Sequence, residues 1–256
     1  VNSTDSAGVP WEGRSFEPNP APDDDGTAPE EFIAVMTRFR AGDATEADVV
    51  DVIREARFLI PLLAEAGDTG KTAEGLTVDK SQELSIVTVT GPDGRTVLPV
   101  FSSVAAMSAW NPQARPVPAA GPRVALAAAS EQTDLIVIDP LNETEFVVRR
   151  PAVWAIAQTE PWRSSYLRPE VRAEFVRSAD GETNVSDIQL LAGDPEARLQ
   201  GPELVVQIAM KPGLDKASLD EIMDRLRESW GTSELIAQAV DSLAVQVVRA
   251  PSDDEA

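Results

Sequence analysis

The run from residue 84 to residue 110, LSIVTVTGPDGRTVLPVFSSVAAMSAW, constrains the fold more than any other part of the chain. Residues 84–90 and 96–101 are rich in Val, Ile, Leu and Thr, side chains that suit a pleated, half-buried surface. Between them, Pro92-Asp93-Gly94 is turn chemistry: proline presets φ at the first corner and glycine accepts positive φ. Ser102 and Ser103 then offer hydroxyls to the first free N–H groups of a helix running to Trp110. The pattern predicts a hairpin feeding a capped helix, with the remaining elements packed around it.

The flanking sequence supplies those elements. Phe32, Val35, Met36 and Phe39 recur at helical spacing, and Gly42 is a natural stop. Thr45 and Asp48 have the spacing of a capping box for a second helix, which turns Val49, Val52, Ile53 and Ala56 inward. Residues 58–63 read as a strand, and Pro61 within it predicts a sheet edge or a bulge. Downstream, the proline-studded residues 111–122 read as a connector and the alanine-rich residues 122–130 as a helix. The apolar run 134–138 suits the centre of a sheet. A turn at 139–142, a strand at 145–148 and a helix opened by Pro151 complete the first half. Periodicity breaks at 158–169, although Trp162 and Tyr166 argue that this segment is packed. Beyond it come a helix at 170–178 and strands at 184–191 and 203–210. An amphipathic helix follows, with Leu219, Ile222, Met223, Leu226 and Trp230 in one stripe, Asp215 or Ser218 as its cap and Gly231 as its end. A short helix at 233–240 and a strand at 243–248 close the order. The expected class is α+β, with two small domains, each a mixed or antiparallel sheet packed with helices. The boundaries are an acidic irregular N-terminal arm at 1–29, a first domain at 30–157, a linker at 158–169, a second domain at 170–250 and an acidic tail at 251–256. The arm carries Pro10, Pro18, Pro20 and Pro22, and Trp11 or Phe16 is expected to pin part of it onto a domain.

Composition narrows the function. A net charge of −21 opposes nucleic acid and anionic membrane surfaces alike, since only 22 Lys and Arg are scattered through 256 residues. The chain has neither cysteine nor histidine. That removes thiol nucleophiles, disulfides, the usual zinc sites and the commonest general base at neutral pH. No apolar run approaches membrane-spanning length and no signal peptide is visible, so a cytoplasmic protein is expected.

Several tempting motifs dissolve on inspection. Gly70-Lys71-Thr72 imitates the end of a phosphate-binding loop, but Glu65 stands where its first glycine belongs and Gly75 interrupts the helix that should follow. Asp134 and Asp139 bracket a strand and could emerge near a sheet edge as a carboxylate pair, but Asp139-Pro140 is an ordinary turn opener and surface carboxylates vastly outnumber catalytic ones. Asp23-Asp24-Asp25-Gly26 lacks the alternating ligands of a calcium loop. Ser102 sits between strand and helix, yet the glycines of a nucleophile elbow are missing. No catalytic residue, metal ligand or cofactor is therefore expected. Arg115, Arg123, Arg149 and Arg150 are the nearest approach to a basic cluster, suited to a small anion or a partner surface, or to pairing with surplus carboxylates. Pro99, Ser102, Ser103 and Trp110 are expected to shape the strand-to-helix junction.

LPVFSSVAAMSAW (98–110), ARPVPAAGPRVALAAAS (114–130) and DLIVIDP (134–140) together resemble the N-terminal domain of the SseB family, named for an enhanced-serine-sensitivity phenotype. DSAGVPWEGRSFEPNP (5–20) is similar to the arm of actinobacterial members, and GPELVVQIAMKPGLD (201–215) to the family's C-terminal domain. The resemblance implies metabolic or regulatory involvement and carries no catalytic residues. With no cysteine, no histidine and no complete catalytic motif, the chain is expected to be a non-enzymatic binding or regulatory protein linked to amino-acid metabolism through an unknown protein partner or small ligand. An enzyme or sensor using arginine and carboxylates in an inter-domain cleft is the alternative.

Overall fold

A computed structural model describes residues 24–65, 70–71, 77–78 and 83–250. Helices α1 (Glu30–Ala41) and α2 (Glu46–Glu55) open the fold. Gly42 ends α1 at φ +80°, and Thr45 caps α2 in a reciprocal box with Asp48. Strand β1 (Arg57–Glu65) follows, then the short strands β2 (Gly70–Lys71) and β3 (Thr77–Val78), which pair antiparallel. Next come β4 (Glu83–Ile86), β5 (Val89–Thr90), β6 (Thr96–Val100), α3 (Val104–Trp110) and β7 (Arg115–Ala120). Helix α4 (Gly121–Ser130), strands β8 (Ile136–Ile138) and β9 (Phe146–Val148), and helix α5 (Arg150–Ala157) complete the first half. Among the described residues these strands form sheets in the orders β4-β1-β7 and β5-β6-β8-β9, besides the β2-β3 pair. A bridge between Leu59 and Phe101 ties the two larger sheets together.

The expected hairpin divides between two sheets: residues 83–86 join β1, whereas only Val89 and Thr90 pair with β6. The expected edge position of Pro61 and the connector at 111–122 are corrected together. β1 is the central strand of its sheet, and residues 115–120 form β7 beside it despite two prolines. Leu59 exchanges both backbone bonds with Phe101, so the odd-numbered groups of β1 face away from β7. Pro116 and Pro118 stand opposite Pro61 and Leu59, positions where the ladder to β1 needs no N–H.

The β5-β6-β8-β9 sheet has two faces. Leu98, Val100, Ile136, Ile138, Phe146 and Val148 point into a core filled by α1, α2, α4 and α5. Val97, Val137 and Val147 point the other way, where Leu199 from the second half packs on them. Phe101 continues that second face and meets Met107 and Trp110 of α3.

The second half has its own core. A 3-10 turn at Ser165–Leu167 precedes α6 (Pro169–Ser178), β10 (Val185–Ala192), β11 (Leu204–Met210), α7 (Lys216–Thr232), α8 (Glu234–Ala239) and β12 (Leu243–Arg249). β10 pairs antiparallel and β12 parallel with β11, and the helices bury Phe175, Leu226 and Trp230 against them. Asp215 caps α7, which runs one residue past the expected stop at Gly231 because that glycine is helical. The α+β class stands. The halves are not cleanly separable: Trp162 packs on the first core, Tyr166 on the second, and Ala197 lies inside the first core. Among the described residues, no helix is long and apolar enough to cross a membrane.

Candidate functional site

On the second face of the β5-β6-β8-β9 sheet, α3 covers one side and the loop 193–202 the other. Between them a groove of about 390 Å³ remains open. Val97, Pro99, Val137 and Val147 make its floor, along the parallel pair β6 and β8 and onto β9. Trp110 walls one side, Arg198 and Leu199 the opposite side, and Pro140 and Leu141 the end. Trp110 is braced by the Phe101 ring, with centroids 5.2 Å apart.

The junction residues build this end of the groove. Ser103 caps α3 by accepting from the Ala106 N–H at 3.1 Å. Ser102 does something else: its N–H and hydroxyl donate to the two side-chain oxygens of the fully buried Asp139, at 2.8 and 2.6 Å. The Thr144 hydroxyl donates to the same side chain at 2.7 Å. Asp139 thereby becomes the internal staple of the loop 139–145, at the price of a left-handed backbone with φ +47°. Two residues on, Leu141 has φ +68° and is 91% exposed. The opposite wall repeats the pattern, with Ala197 at φ +48° and Leu199 at +58°. Four of the six described non-glycine residues with positive φ thus lie in the two loops that wall one groove. Such backbone persists only where the surroundings over-determine it, and it concentrates at functional sites.

Both walls are tied from behind. Arg40 of α1 donates to the carbonyls of Glu145 and Glu196, and to the Glu196 carboxylate at 3.1 Å. The Ala197 carbonyl accepts from the Val147 N–H at 2.8 Å, extending the sheet edge into the loop. The neck of the loop 193–202 is closed by glycines: a Cβ at Gly193 would stand 2.3 Å from the Pro202 carbonyl oxygen, and one at Gly201 would stand 2.6 Å from that of Gly193.

A buried charge cluster anchors that neck. Arg149 donates to Asp194 at 2.7 Å, to the Gly201 carbonyl at 2.7 Å, to Asp241 at 3.2 Å and to the Ser242 hydroxyl at 3.3 Å. Asp194 in turn accepts from the Leu199 N–H at 2.7 Å. Arg95 grips Asp241 through both terminal nitrogens at 2.9 Å. Burial opposes the charge on Asp241, but Arg95 and Arg149 outweigh it and hold its carboxyl below the usual range. Glu203 accepts from the Ser165 hydroxyl at 2.6 Å and the Asp241 N–H at 2.5 Å. Glu46 accepts from Ser164 at 2.7 Å. Both glutamates line a cavity of about 20 Å³ with Arg149 and Asp194, and burial pushes both carboxyls upward.

The structure does not gather the four arginines singled out in the sequence. Arg149 is buried in the cluster just described. Its neighbour Arg150 donates to the Val240 carbonyl and lies 4.9 Å from the Trp154 ring. Arg115 and Arg123 are exposed on β7 and α4. Pro99 and Trp110 meet in the groove, while Ser102 and Ser103 act beneath it. Sequence reasoning missed Arg40, Leu141, Arg198 and Leu199. Only the leucine after Asp139-Pro140 carried a local signal, an apolar residue in a turn. Among the described residues, no cluster of three or more acidic, histidine or cysteine side chains could hold a metal ion.

These features define an α+β protein whose first half carries an apolar groove held open by two strained, cross-tied loops. Residues 33–155 match the family model of the SseB protein N-terminal domain, so this part of the chain is assigned to the SseB family. Neither the curated proteins nor the solved structures contain a match to the chain.

Proposed function

We propose that this chain is a non-enzymatic binding protein that docks an apolar segment of a protein partner in the groove floored by Val97, Pro99, Val137 and Val147. The carrying observation is the paired strain in its two walls, which holds Leu141 almost fully in solvent beside an apolar floor. A leucine in left-handed backbone costs about 1–2 kcal/mol, and solvent gives nothing back for its side chain. An anchor for a partner does. The groove has the size and composition of sites that take small apolar bodies. Within the SseB family this reading ties the partner to amino-acid metabolism, serine tolerance first.

The alternative of substrate or anion held by arginine and carboxylates between the halves has less support, because both terminal nitrogens of Arg149 already have protein acceptors. The test is capture of partners by the parent chain and by Leu141→Gly. Glycine relieves the backbone and removes the anchor, so the variant should keep its unfolding free energy within about 1 kcal/mol of the parent while losing a partner that the parent retains. Identical capture by both chains would overturn the reading.

A further inference from the structure

We infer that the groove is gated by protons held in the charge cluster behind it. Glu46 and Glu203 are carboxylic acids while the loop 193–202 is closed, and their ionisation as pH rises releases that loop and its Leu199 wall. The inference rests on the groove being a binding site and names what regulates it. Every group in the cluster belongs to the described residues, whereas the arm at 1–23, with Trp11 and Phe16, and the tail at 251–256 lie outside them.

The carboxyl groups of Glu46, Asp194, Glu203 and Asp241 meet only the guanidinium groups of Arg95 and Arg149. Arg149 is committed to Asp194 and Asp241, and Arg95 to Asp241 and Asp93. Among the described residues, the hydrogen-bond partners of Glu46 and Glu203 are instead the hydroxyls of Ser164 and Ser165 and the Asp241 N–H. A serine hydroxyl serves either state, since it donates to a carboxylate and accepts from a carboxylic acid. Hydration cannot replace the missing cations. The cavity that both glutamates line, about 20 Å³, has room for about one water molecule, and Val50, Phe146 and Trp162 complete its walls. A carboxyl so placed keeps its proton rather than stand as an uncompensated buried charge.

Among the described residues, Glu46 faces Glu203, Arg149, Asp194 and Tyr166, and Glu203 faces Asp241, Arg149, Tyr166 and Glu46. Burial acts most strongly and raises both carboxyls. The hydroxyl bonds, Arg149 and, for Glu46, the first turn of α2 pull the other way without overcoming it. Being neighbours, the two titrate as a pair. The pair and the groove share one loop. Asp194 accepts from the N–H groups of Arg198 at 3.3 Å and Leu199 at 2.7 Å. Arg149 joins the two ends of that loop, donating to Asp194 and to the Gly201 carbonyl, both at 2.7 Å. Leu199 then packs on Val97, Val137 and Val147. Two new anions at Glu46 and Glu203 repel Asp194 and Asp241 and compete for Arg149. Arg149 is drawn from Asp194, the loop ends part and Leu199 leaves the floor. The closed loop binds the protons more tightly than the open one, so it is populated below the raised folded values and lost as pH rises through them. A partner in the groove is retained on the acid side of that range and released on the other.

The experiment uses the full chain between about pH 5 and about pH 8.5, above the ordinary carboxylate range. Hydrogen exchange of the 193–202 amides, read by mass spectrometry and corrected for the intrinsic rate, should quicken on the order of tenfold across that range in the parent. It should stay slow in the double variant Glu46→Gln with Glu203→Gln, and each single variant should keep part of the change. Binding of the neutral apolar dye N-phenyl-1-naphthylamine should weaken by the same factor in the parent and hold constant in the double variant. Leu141→Asp, within the groove wall, should weaken dye binding at every pH. Exchange that does not change with pH in the parent, or that responds equally in parent and double variant, would overturn the inference. If Leu141→Asp weakens dye binding but pH does not, the groove binds without being gated, and this inference alone fails. If Leu141→Asp leaves dye binding unchanged at every pH, the groove reading fails and its regulation goes with it.

Discussion

Asp139 is buried to 0% exposure and held by three donors, two of them from Ser102. Its role follows from what a buried carboxyl needs: every lone pair left without a donor costs the desolvation of that group. Ser102→Ala deletes the shortest of the three bonds and should lower the unfolding free energy by about 1–3 kcal/mol, measured by urea denaturation. Ser103→Ala at the neighbouring position should cost about 1 kcal/mol as a lost helix cap. The sequence shows two adjacent serines at a strand-to-helix junction, and cap chemistry is legible for both. That Ser102 instead turns inward is decided by Asp139, 37 positions away, which no local pattern connects to it. Leu141 is a harder case still, because its left-handed backbone is imposed by the Asp139 staple and by its own N–H donating to the Glu145 carboxylate at 2.6 Å.

At the scale of elements, strands and helices with strong local signals stand close to where periodicity puts them. α1, α2, α4, α5 and α7 each pair a clear apolar stripe or a good cap with a nearby stop, and local chemistry is sufficient for them. β7 was illegible for a physical reason: proline argues against a ladder unless the missing N–H faces away from the neighbour, and only the register against β1 reveals that it does. The loop 193–202 is the other element that sequence could not read. Its glycines look like flexible loop chemistry, yet they are needed because the two ends of the loop touch. Gly193→Ala puts a Cβ into backbone that cannot yield cheaply. It should cost about 1–3 kcal/mol by overpacking, shift Leu199 off the Val137 floor and weaken ligand binding in the groove. Loss of stability with unchanged groove binding would show that the neck and the wall are mechanically independent.

For the whole molecule, the charge cluster around Arg149 is the latch between the halves. Arg149→Met leaves Asp194 buried without its cation and should cost about 3–5 kcal/mol, the usual penalty for breaking a buried pair from one side. The cluster also sets the pH response. Burial, opposed and outweighed by Arg95 and Arg149, leaves the Asp241 carboxyl below its ordinary value. Its contribution is therefore present above the ordinary carboxylate range and is lost as pH falls through the lowered folded value. Glu46 and Glu203 behave oppositely: burial raises both, so their contribution is full below the ordinary range and declines as pH rises through the raised folded values. Glu46→Gln keeps an oxygen to accept from Ser164 and removes the ionisation. Its melting temperature should exceed the parent's near pH 8 and converge with it near pH 4. A constant offset across that range would mean that Glu46 stays charged in the fold.

The sequence by itself determined the α+β class, most of the helices and strands, the capped junction at Ser103 and the SseB resemblance, because each rests on residues near one another in the chain. Only the tertiary structure decided which face of the β5-β6-β8-β9 sheet stays open, which arginine is buried and which side chains line the groove. Those outcomes depend on contacts between α1, the loop 139–145, Arg149 and the loop 193–202, spanning 45 to 156 positions in the chain, where register and close approach, not local propensity, set the energy.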